Sequence, residues 1–213
     1  MTPTTTLFGA VTAQEDRLAI VATGPSLRTF DLTRFDTVPT IAVNGALPHV
    51  SAEYWVTIDP SRAQRKIMEN PVAGVTYYCG LPADFGPETR LWKMGVRPLA
   101  HVHYLERVGG NGIPIYPWLI HSGNSAFAAL GLACHMRPSK VALFGVDCTA
   151  GPYFYATRKH DRPLRLKHVP ALFEGCVGHL AARKVEVVNG SPDSLVTCFP
   201  RMSPDEALEW LAA

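Results

Sequence analysis

Short runs of consecutive apolar residues recur along the chain, and most of them end at glycine, asparagine or aspartate. Continuous apolar runs are typical of parallel strands, because helices cover both faces of the sheet that such strands form. The predicted strands are residues 18–22, 40–43, 53–58, 75–79, 140–144 and 184–188. A weaker strand is expected near residues 99–104, inside the irregular stretch 81–112, which is rich in proline and glycine.

Segments with helical apolar spacing alternate with these strands. The predicted helices are residues 61–69, 126–136, 170–182 and 204–211. The last one begins with Ser203, Pro204, Asp205 and Glu206, which is a capping box with proline at the first helical position. The alternation predicts an α/β fold, a Rossmann-like, doubly wound and mostly parallel sheet with helices on both faces and a lid segment. We expect residues 1–213 to form a single domain.

Composition narrows the class of protein without naming a partner. Hydrophobic residues make up 47% of the chain, which is enough for a sizeable core, and the net charge of +2 does not by itself predict nucleic acid or an anionic membrane as partner. The five cysteines form no C-x-x-C pair, so we interpret them as buried thiols in a reducing compartment. We expect a cytoplasmic protein, because we find neither a signal-peptide pattern nor an apolar run of about 20 residues.

The turn after the first strand is the leading candidate for a binding site, because ligands of such sheets bind beyond the carboxyl ends of the strands. It consists of Thr23, Gly24, Pro25 and Ser26. Gly24 has no Cβ, so a phosphate can approach its backbone, and Ser26 can cap the next helix or donate its hydroxyl to a phosphate oxygen. The turn is neither a Walker A loop nor a G-x-G-x-x-G motif. It predicts nucleotide binding with Gly24, Pro25 and Ser26 at the phosphates.

Polar residues also follow the other predicted strands. Asn44 and Asp59 end the second and third strands, where they could hold a ribose, a base or a metal, or only cap loops. Ser122 and Gly123 precede a helix of small residues, whose start predicts a second anion site facing the first. Asp147 follows strand 140–144.

The segment 148–167 is the predicted lid. It contains Tyr153 and Tyr155, followed by a cluster of basic residues: Arg158, Lys159, Arg162, Arg165 and Lys167. A cationic lid would neutralise a departing phosphate, and a solvated loop is the alternative. Because the segment combines glycine, proline and like charges, we expect it to be mobile until an anion binds. His168, at the start of the next helix, is the candidate general base.

Five motifs follow one another in a characteristic order. They are Thr23-Gly24-Pro25-Ser26-Leu27, Ala42-Val43-Asn44, Tyr54-Trp55-Val56-Thr57-Ile58-Asp59-Pro60, Ser122-Gly123-Asn124-Ser125-Ala126 and Leu143-Phe144-Gly145-Val146-Asp147. The resemblance that they carry covers roughly residues 19–194. In this order they resemble the superfamily that joins the 6-hydroxymethylpterin diphosphokinase-like (domain of unknown function 115) proteins with the bacterial lipooligosaccharide sialyltransferases.

The resemblance to the sialyltransferases implies roles for particular residues. Those implied to hold a cytidine nucleotide are Gly24, Pro25, Ser26, Asn44, Ser122 and Gly123. Tyr153 or Tyr155 would contact the donor phosphate, and His168 would be the base. Two positions depart from that pattern, since Thr23 and Asp59 stand where those enzymes have asparagine. An aspartate after the third strand is closer to the diphosphokinase-like branch, in which acidic strand ends can hold magnesium.

These observations predict a nucleotide-dependent transferase, with glycosyl transfer from a sugar nucleotide favoured. The expected partners are a nucleotide or sugar-nucleotide donor and a glycan or other hydroxyl compound as acceptor; a hydroxylated base in DNA is another option, because the lid is basic. One alternative is diphosphokinase-like transfer of pyrophosphate from ATP, with Asp59, alone or together with Asp147, on Mg²⁺. The other alternative is a non-catalytic nucleotide-binding protein. A homodimer would cover the tryptophans Trp92, Trp118 and Trp210.

Overall fold

The computed structural model describes residues 7–110, 112–149, 151–156 and 166–213. Its described strands are β1 (Arg17–Val21), β2 (Thr40–Val43), β3 (Tyr54–Thr57), β4 (Thr76–Leu81), β5 (Val102–Val108), β6 (Leu119–His121), β7 (Lys140–Phe144) and β8 (Glu186–Asn189). The described α-helices are α1 (Arg62–Glu69), α2 (Arg90–Lys93), α3 (Ser125–His135), α4 (Val169–Ala182) and α5 (Pro204–Ala212). Short 3₁₀ helices cover Pro25–Leu27, Leu32–Thr37 and Asn44–His49.

The eight strands form one sheet in the order β6-β5-β4-β3-β2-β1-β7-β8, and every neighbouring pair is parallel. From β1 the chain builds the sheet outward to β6 and then returns to add β7 and β8 on the other side of β1. This confirms the predicted Rossmann-like, doubly wound α/β fold. The strand order reverses between β1 and β7, which is the crevice where open α/β sheets bind ligands.

Each face of the sheet carries its own apolar core. One core joins Phe127 of α3 and Phe173 of α4, whose ring centroids lie 5.2 Å apart, to the sheet face that includes Ile20 and Val56. The other packs Met68 of α1 together with α5 on the opposite face. The continuous apolar runs follow from this arrangement, because residues on both faces of the central strands are buried.

The capping box of α5 is confirmed. The Ser203 hydroxyl accepts from the Glu206 backbone N–H, and the Glu206 carboxylate accepts from the Ser203 N–H at 2.8 Å. The five cysteines are free thiols, and Cys79, Cys134 and Cys176 are buried. Within the described ranges, every helix is too short or too polar to cross a membrane.

The sequence-based assignments differ from the structure most at four strands: β4, β5, β6 and β8. β4 continues through Gly80 to Leu81, and β5 is a seven-residue strand inside the sheet rather than a weak one. The edge strand β6 was not predicted, because its three residues are too few for a periodic pattern. β8 starts at Glu186 rather than at Lys184, since Lys184 adopts a left-handed φ of 57° just after α4 ends.

Two of the tryptophans invoked for a homodimer are partly covered by their own chain. The Arg97 guanidinium lies 4.1 Å from the Trp92 ring centroid, and the Lys140 amine lies 5.1 Å from that of Trp210. Trp118 is 40% exposed. Only Trp118, of these three residues, retains the exposure on which the dimer expectation depends.

Candidate active site

A cavity of about 260 Å³ lies at the carboxyl ends of β1, β2 and β7, beside the start of α3. The residues that line it are Ala22, Thr23, Gly24, Pro25, Val43, Asn44, Asn124, Ser125, Ala126, Gly145, Val146, Asp147, Cys148, Thr149, Gly151, Tyr153 and Leu166. It therefore opens at the reversal of strand order, and four of the five sequence motifs contribute to its wall. Asp147 carries the only formal charge among the described lining residues.

The packing around the turn leaves room only for glycine at position 24. A Cβ on Gly24 would overlap the Asp147 carboxylate and the Gly145 carbonyl oxygen. The Gly24 N–H donates to that same carbonyl over 2.8 Å, which holds the first turn against the end of β7. The sequence interpretation gave phosphate approach as the reason for this glycine, whereas in the structure the close neighbour is a carboxylate.

Ser26 does not cap the helix that follows the turn. Gly24 is the N-cap of a three-residue 3₁₀ helix, and Ser26 lies inside it. The Ser26 hydroxyl donates to Asp147 Oδ2 over 2.9 Å and lies 3.2 Å from the Ser191 hydroxyl. The expected free helix start is thus already in contact with an acidic side chain of the protein.

Two buried serines complete this polar cluster and were missed from the sequence. Ser191 Oγ accepts from the Val146 N–H at 3.3 Å, and Ser194 Oγ donates to the Val146 carbonyl at 2.6 Å. Both hold the backbone next to Asp147 in position. In the sequence, only their position shortly after Asn189, where β8 ends, could have indicated that these serines lie near the site.

Burial raises the pKa of Asp147, and the hydrogen bonds from Ser26 oppose this effect. The residue is only 3% exposed although it lines the cavity. Desolvation disfavours the charged carboxylate, while donors directed at it favour the charged form. The raised pKa therefore reflects an acid that is mostly removed from water.

Asn44 lies in the cavity wall in a left-handed conformation, with φ of 52°, which asparagine tolerates better than most residues. Its Oδ1 accepts from the Thr57 hydroxyl at 2.7 Å, and its carbonyl accepts from the Trp55 indole N–H at 2.7 Å. The bond from Thr57 engages Oδ1 of the side-chain amide, so that Nδ2 remains a donor for a ligand. No described residue accepts from this nitrogen.

The start of α3 forms the facing wall. Asn124 is its cap, and its Oδ1 accepts from the N–H groups of Ala126 and Phe127. Asn124 and Ser125 line the cavity, whereas Ser122 and Gly123 lie just before the lining residues. The Gly123 N–H donates to His121 Nδ1 over 2.9 Å.

Asp59 is exposed and lies outside the cavity wall. The strand order separates the end of β3 from the end of β7 by three strand spacings, about 14 Å at the usual distance between strands. This separation of the two strands is much longer than the distance of about 2 Å between Mg²⁺ and its ligands. Within the described ranges, no group of three or more histidine, cysteine, aspartate or glutamate side chains is arranged to hold a metal.

The first part of the predicted lid covers the Gly-Pro-Ser turn. The Phe154 N–H donates to the Thr23 carbonyl over 3.1 Å, and a Cβ on Gly151 would lie 2.6 Å from Pro25 Cγ. The Arg28 guanidinium donates to the carbonyls of Tyr153 and Ala156. The basic residues Arg158, Lys159, Arg162 and Arg165 lie outside the described residues.

The two lid tyrosines have different surroundings. Tyr153 lines the cavity, whereas the Tyr155 hydroxyl lies over Gly45, next to Asn44. Their ring centroids are 5.4 Å apart. Burial raises the pKa of Tyr155 to about 12, with a smaller contribution from Tyr153, so its phenol stays protonated and can act as a donor at neutral pH.

His168 and Lys167 are exposed at the start of α4. His168 Nε2 lies 3.4 Å from the Gly123 carbonyl, just before the α3 wall of the cavity, and Leu166 is part of the wall itself. The predicted base therefore lies beside the rim of the cavity rather than inside it.

No family model matches the sequence, and no curated protein is significantly similar to it. Solved structures are similar in fold. One is the sialyltransferase CstII from Campylobacter jejuni in complex with a substrate analogue, CMP-3FNeuAc; the TM-score is 0.54 at 12% identity, over 91% of this chain and 88% of that one. Another is the sialyltransferase CST-II in complex with a trisaccharide acceptor and CMP, with a TM-score of 0.54 and 13% identity over 90% and 87% of the two chains. The chain thus shares its α/β fold with these sialyltransferases over most of its length.

Proposed function

We propose that the protein is a glycosyltransferase that uses a sugar-nucleotide donor. The observation that carries the proposal is the cavity at the strand-order reversal, with Gly24, Asn44 and Asp147 in its wall. It lies in a fold shared with sialyltransferases that have been crystallised with CMP or a CMP-sugar analogue. Because a shared fold does not determine the reaction, the proposal depends on the residues of the cavity.

In the proposed reaction His168 takes the proton of an acceptor hydroxyl at Nδ1, because Nε2 faces the Gly123 carbonyl and carries the ring proton. The acceptor oxygen then bonds to the anomeric carbon of the donor sugar, and the bond from that carbon to the phosphate oxygen breaks. The nucleotide leaves with its phosphate. His168 suits this role because it is exposed beside the cavity rim, where an acceptor can approach from solvent.

The departing phosphate gains negative charge, which protein donors have to stabilise. Tyr153 lines the cavity, and the protonated phenol of Tyr155 lies over the Asn44–Gly45 turn. We propose that these two phenols donate to the phosphate. The basic residues of the lid would add positive charge there, since the described cavity wall has no cation of its own.

Nucleotide binding is the first test. Cytidine, uridine, guanosine and adenosine mono- and diphosphates are added separately to the protein, and the shift in melting temperature is measured. A ligand that binds only the folded state stabilises it by mass action, so at a concentration 100 times its Kd it should add about 2.7 kcal/mol to the unfolding free energy. We expect CMP to give the largest shift; no shift with any nucleotide would exclude the proposal.

Turnover is the second test. CMP-linked and UDP-linked sugars are incubated with the protein, with and without a chelator, and release of the nucleotide is followed. Slow hydrolysis of one donor without added metal would support glycosyl transfer. Tight nucleotide binding without any hydrolysis or transfer would favour a non-catalytic binding protein instead.

A further inference from the structure

The turn at Gly24, Pro25 and Ser26 already holds an anion, and that anion is Asp147. Its carboxylate accepts from the Ser26 hydroxyl at 2.9 Å, and the Gly24 N–H donates to the Gly145 carbonyl at 2.8 Å. It also lies against the Cα of Gly24, where a Cβ would overlap it. The donors that a phosphate would use at this turn are therefore engaged by the protein.

The charge of Asp147 also opposes a phosphate at the same spot. The carboxylate is almost fully buried, and within the described ranges no lysine, arginine or histidine lines the cavity. Like charges repel more strongly in such a poorly hydrated site than in water, so a phosphate beside Asp147 would be unfavourable. A group with hydrogen-bond donors would instead be attracted, because a carboxylate offers about four acceptor positions and Ser26 uses only part of them.

We propose that Asp147 accepts hydrogen bonds from the two ribose hydroxyls of the donor nucleotide, so that the nucleoside, not the phosphate, lies against the Gly-Pro-Ser turn. This inference rests on the proposed function. A vicinal diol presents two O–H donors that match the two oxygens of one carboxylate. The phosphate then lies toward Ser125 at the start of α3, in the wall that faces the turn.

Asp193 offers a matched control for the charge of Asp147. It is exposed and outside the cavity wall, yet close enough to contribute to the raised pKa of Asp147. Replacing Asp193 with asparagine removes one negative charge near the site without changing the cavity. Effects that depend on net charge alone should therefore appear in both variants, and effects of a direct contact only in Asp147→Asn.

The experiment is isothermal titration of the wild type, Asp147→Asn and Asp193→Asn with CMP, 2′,3′-dideoxy-CMP and UMP, at about pH 8 so that carboxylates are ionised. We expect the wild type and Asp193→Asn to bind CMP at least about tenfold more tightly than the dideoxy analogue, since hydrogen bonds to a charged group carry that much discrimination. In Asp147→Asn the preference should fall to a few-fold, mainly through weaker binding of CMP. UMP carries the same ribose, so Asp147→Asn should weaken the binding of UMP by about the same factor as the binding of CMP.

Three results would overturn the assignment. Equal binding of CMP and dideoxy-CMP by the wild type would remove the ribose contact. Tighter binding of both nucleotides by Asp147→Asn would mean that the carboxylate faces the phosphate. If the wild type binds UMP more weakly than CMP but binds dideoxy-CMP as tightly as CMP, Asp147 would be assigned to the amino group of cytosine. If the wild type binds none of the three nucleotides, the proposed function itself fails. Binding of CMP without a preference for the ribose hydroxyls would contradict the ribose contact alone. Thermal melts confirm that Asp147→Asn is folded.

Discussion

The phenol ring of Tyr155 stacks on the imidazole ring of His49, with centroids 4.5 Å apart and planes inclined by 14°. The neighbouring Phe154 is buried and meets the same imidazole edge to face at 5.5 Å. His49 ends the 3₁₀ helix that begins at Asn44 in the cavity wall. These contacts join the first part of the predicted lid to an element that forms the site.

If this stack holds the lid segment, His49→Ala should loosen residues 151–156. We expect faster amide hydrogen exchange there, with little change in the sheet, because the lost contacts are local. His103→Ala is the control, since His103 is also an exposed histidine in ring contact with a tyrosine, Tyr78, but lies on β5. Unchanged exchange in residues 151–156 of the His49 variant would show that the stack does not hold the segment.

Gly24→Ala should destabilise the protein by about 1–3 kcal/mol or more, because the new methyl group would overlap both a carboxylate and a backbone carbonyl. Gly175→Ala is its counterpart. Gly175 is exposed within α4 and its Cβ would meet nothing, so the substitution should stabilise the helix by up to about 1 kcal/mol. Denaturant unfolding of both variants tests the pair, and a neutral Gly24→Ala would contradict the packing described for the turn.

The stability of Asp147→Asn relative to the wild type should depend on pH. Because the pKa of Asp147 is raised in the folded state, ionisation of its carboxyl lowers the stability of the fold. This cost is absent while the carboxyl is protonated. The wild type therefore loses stability as pH rises through the folded-state pKa. Asparagine never ionises. The melting temperature of the variant minus that of the wild type should therefore increase between about pH 4 and pH 8. A difference that is constant over this range would mean that burial does not penalise the charge.

His168→Ala should bind nucleotide nearly as the wild type does, because His168 lies outside the cavity wall and acts on the acceptor. Transfer should fall by about a hundredfold to ten-thousandfold, as for loss of a general base. Titration with CMP and transfer assays separate the two effects. Transfer at the wild-type rate would exclude His168 as the base.

Arg158 and Arg162 are assigned to the lid by the sequence alone, since they lie outside the described residues. Replacing both with glutamine should weaken donor binding and make that binding less sensitive to salt, because exposed charges are screened by ions. Hydrogen exchange of residues 148–167 should slow when the nucleotide binds, as expected for a mobile lid. Donor affinity that is independent of both arginines would remove their proposed role.

The sequence alone determined the order of elements and the end of the sheet at which the candidate site lies. Buried parallel strands need apolar side chains on both faces, so each strand is a run of consecutive apolar residues. The polar residues that follow such runs, as Asn44 and Asp147 do, are therefore recognisable in the sequence. The sequence placed β5 only approximately, because the position of a strand within the sheet is set by its neighbours. It missed β6, because a three-residue edge strand carries too little pattern.

Only the tertiary structure decided which groups meet. Ser26 and Asp147 are 121 positions apart in the chain, yet share a hydrogen bond because β1 and β7 are neighbours in the sheet. No local pattern encodes such a pairing, since it depends on strand order. The sequence could identify Gly24, Ser26 and Asp147 as candidates, but their shared contact, and the burial that raises the pKa of Asp147, arise from long-range packing.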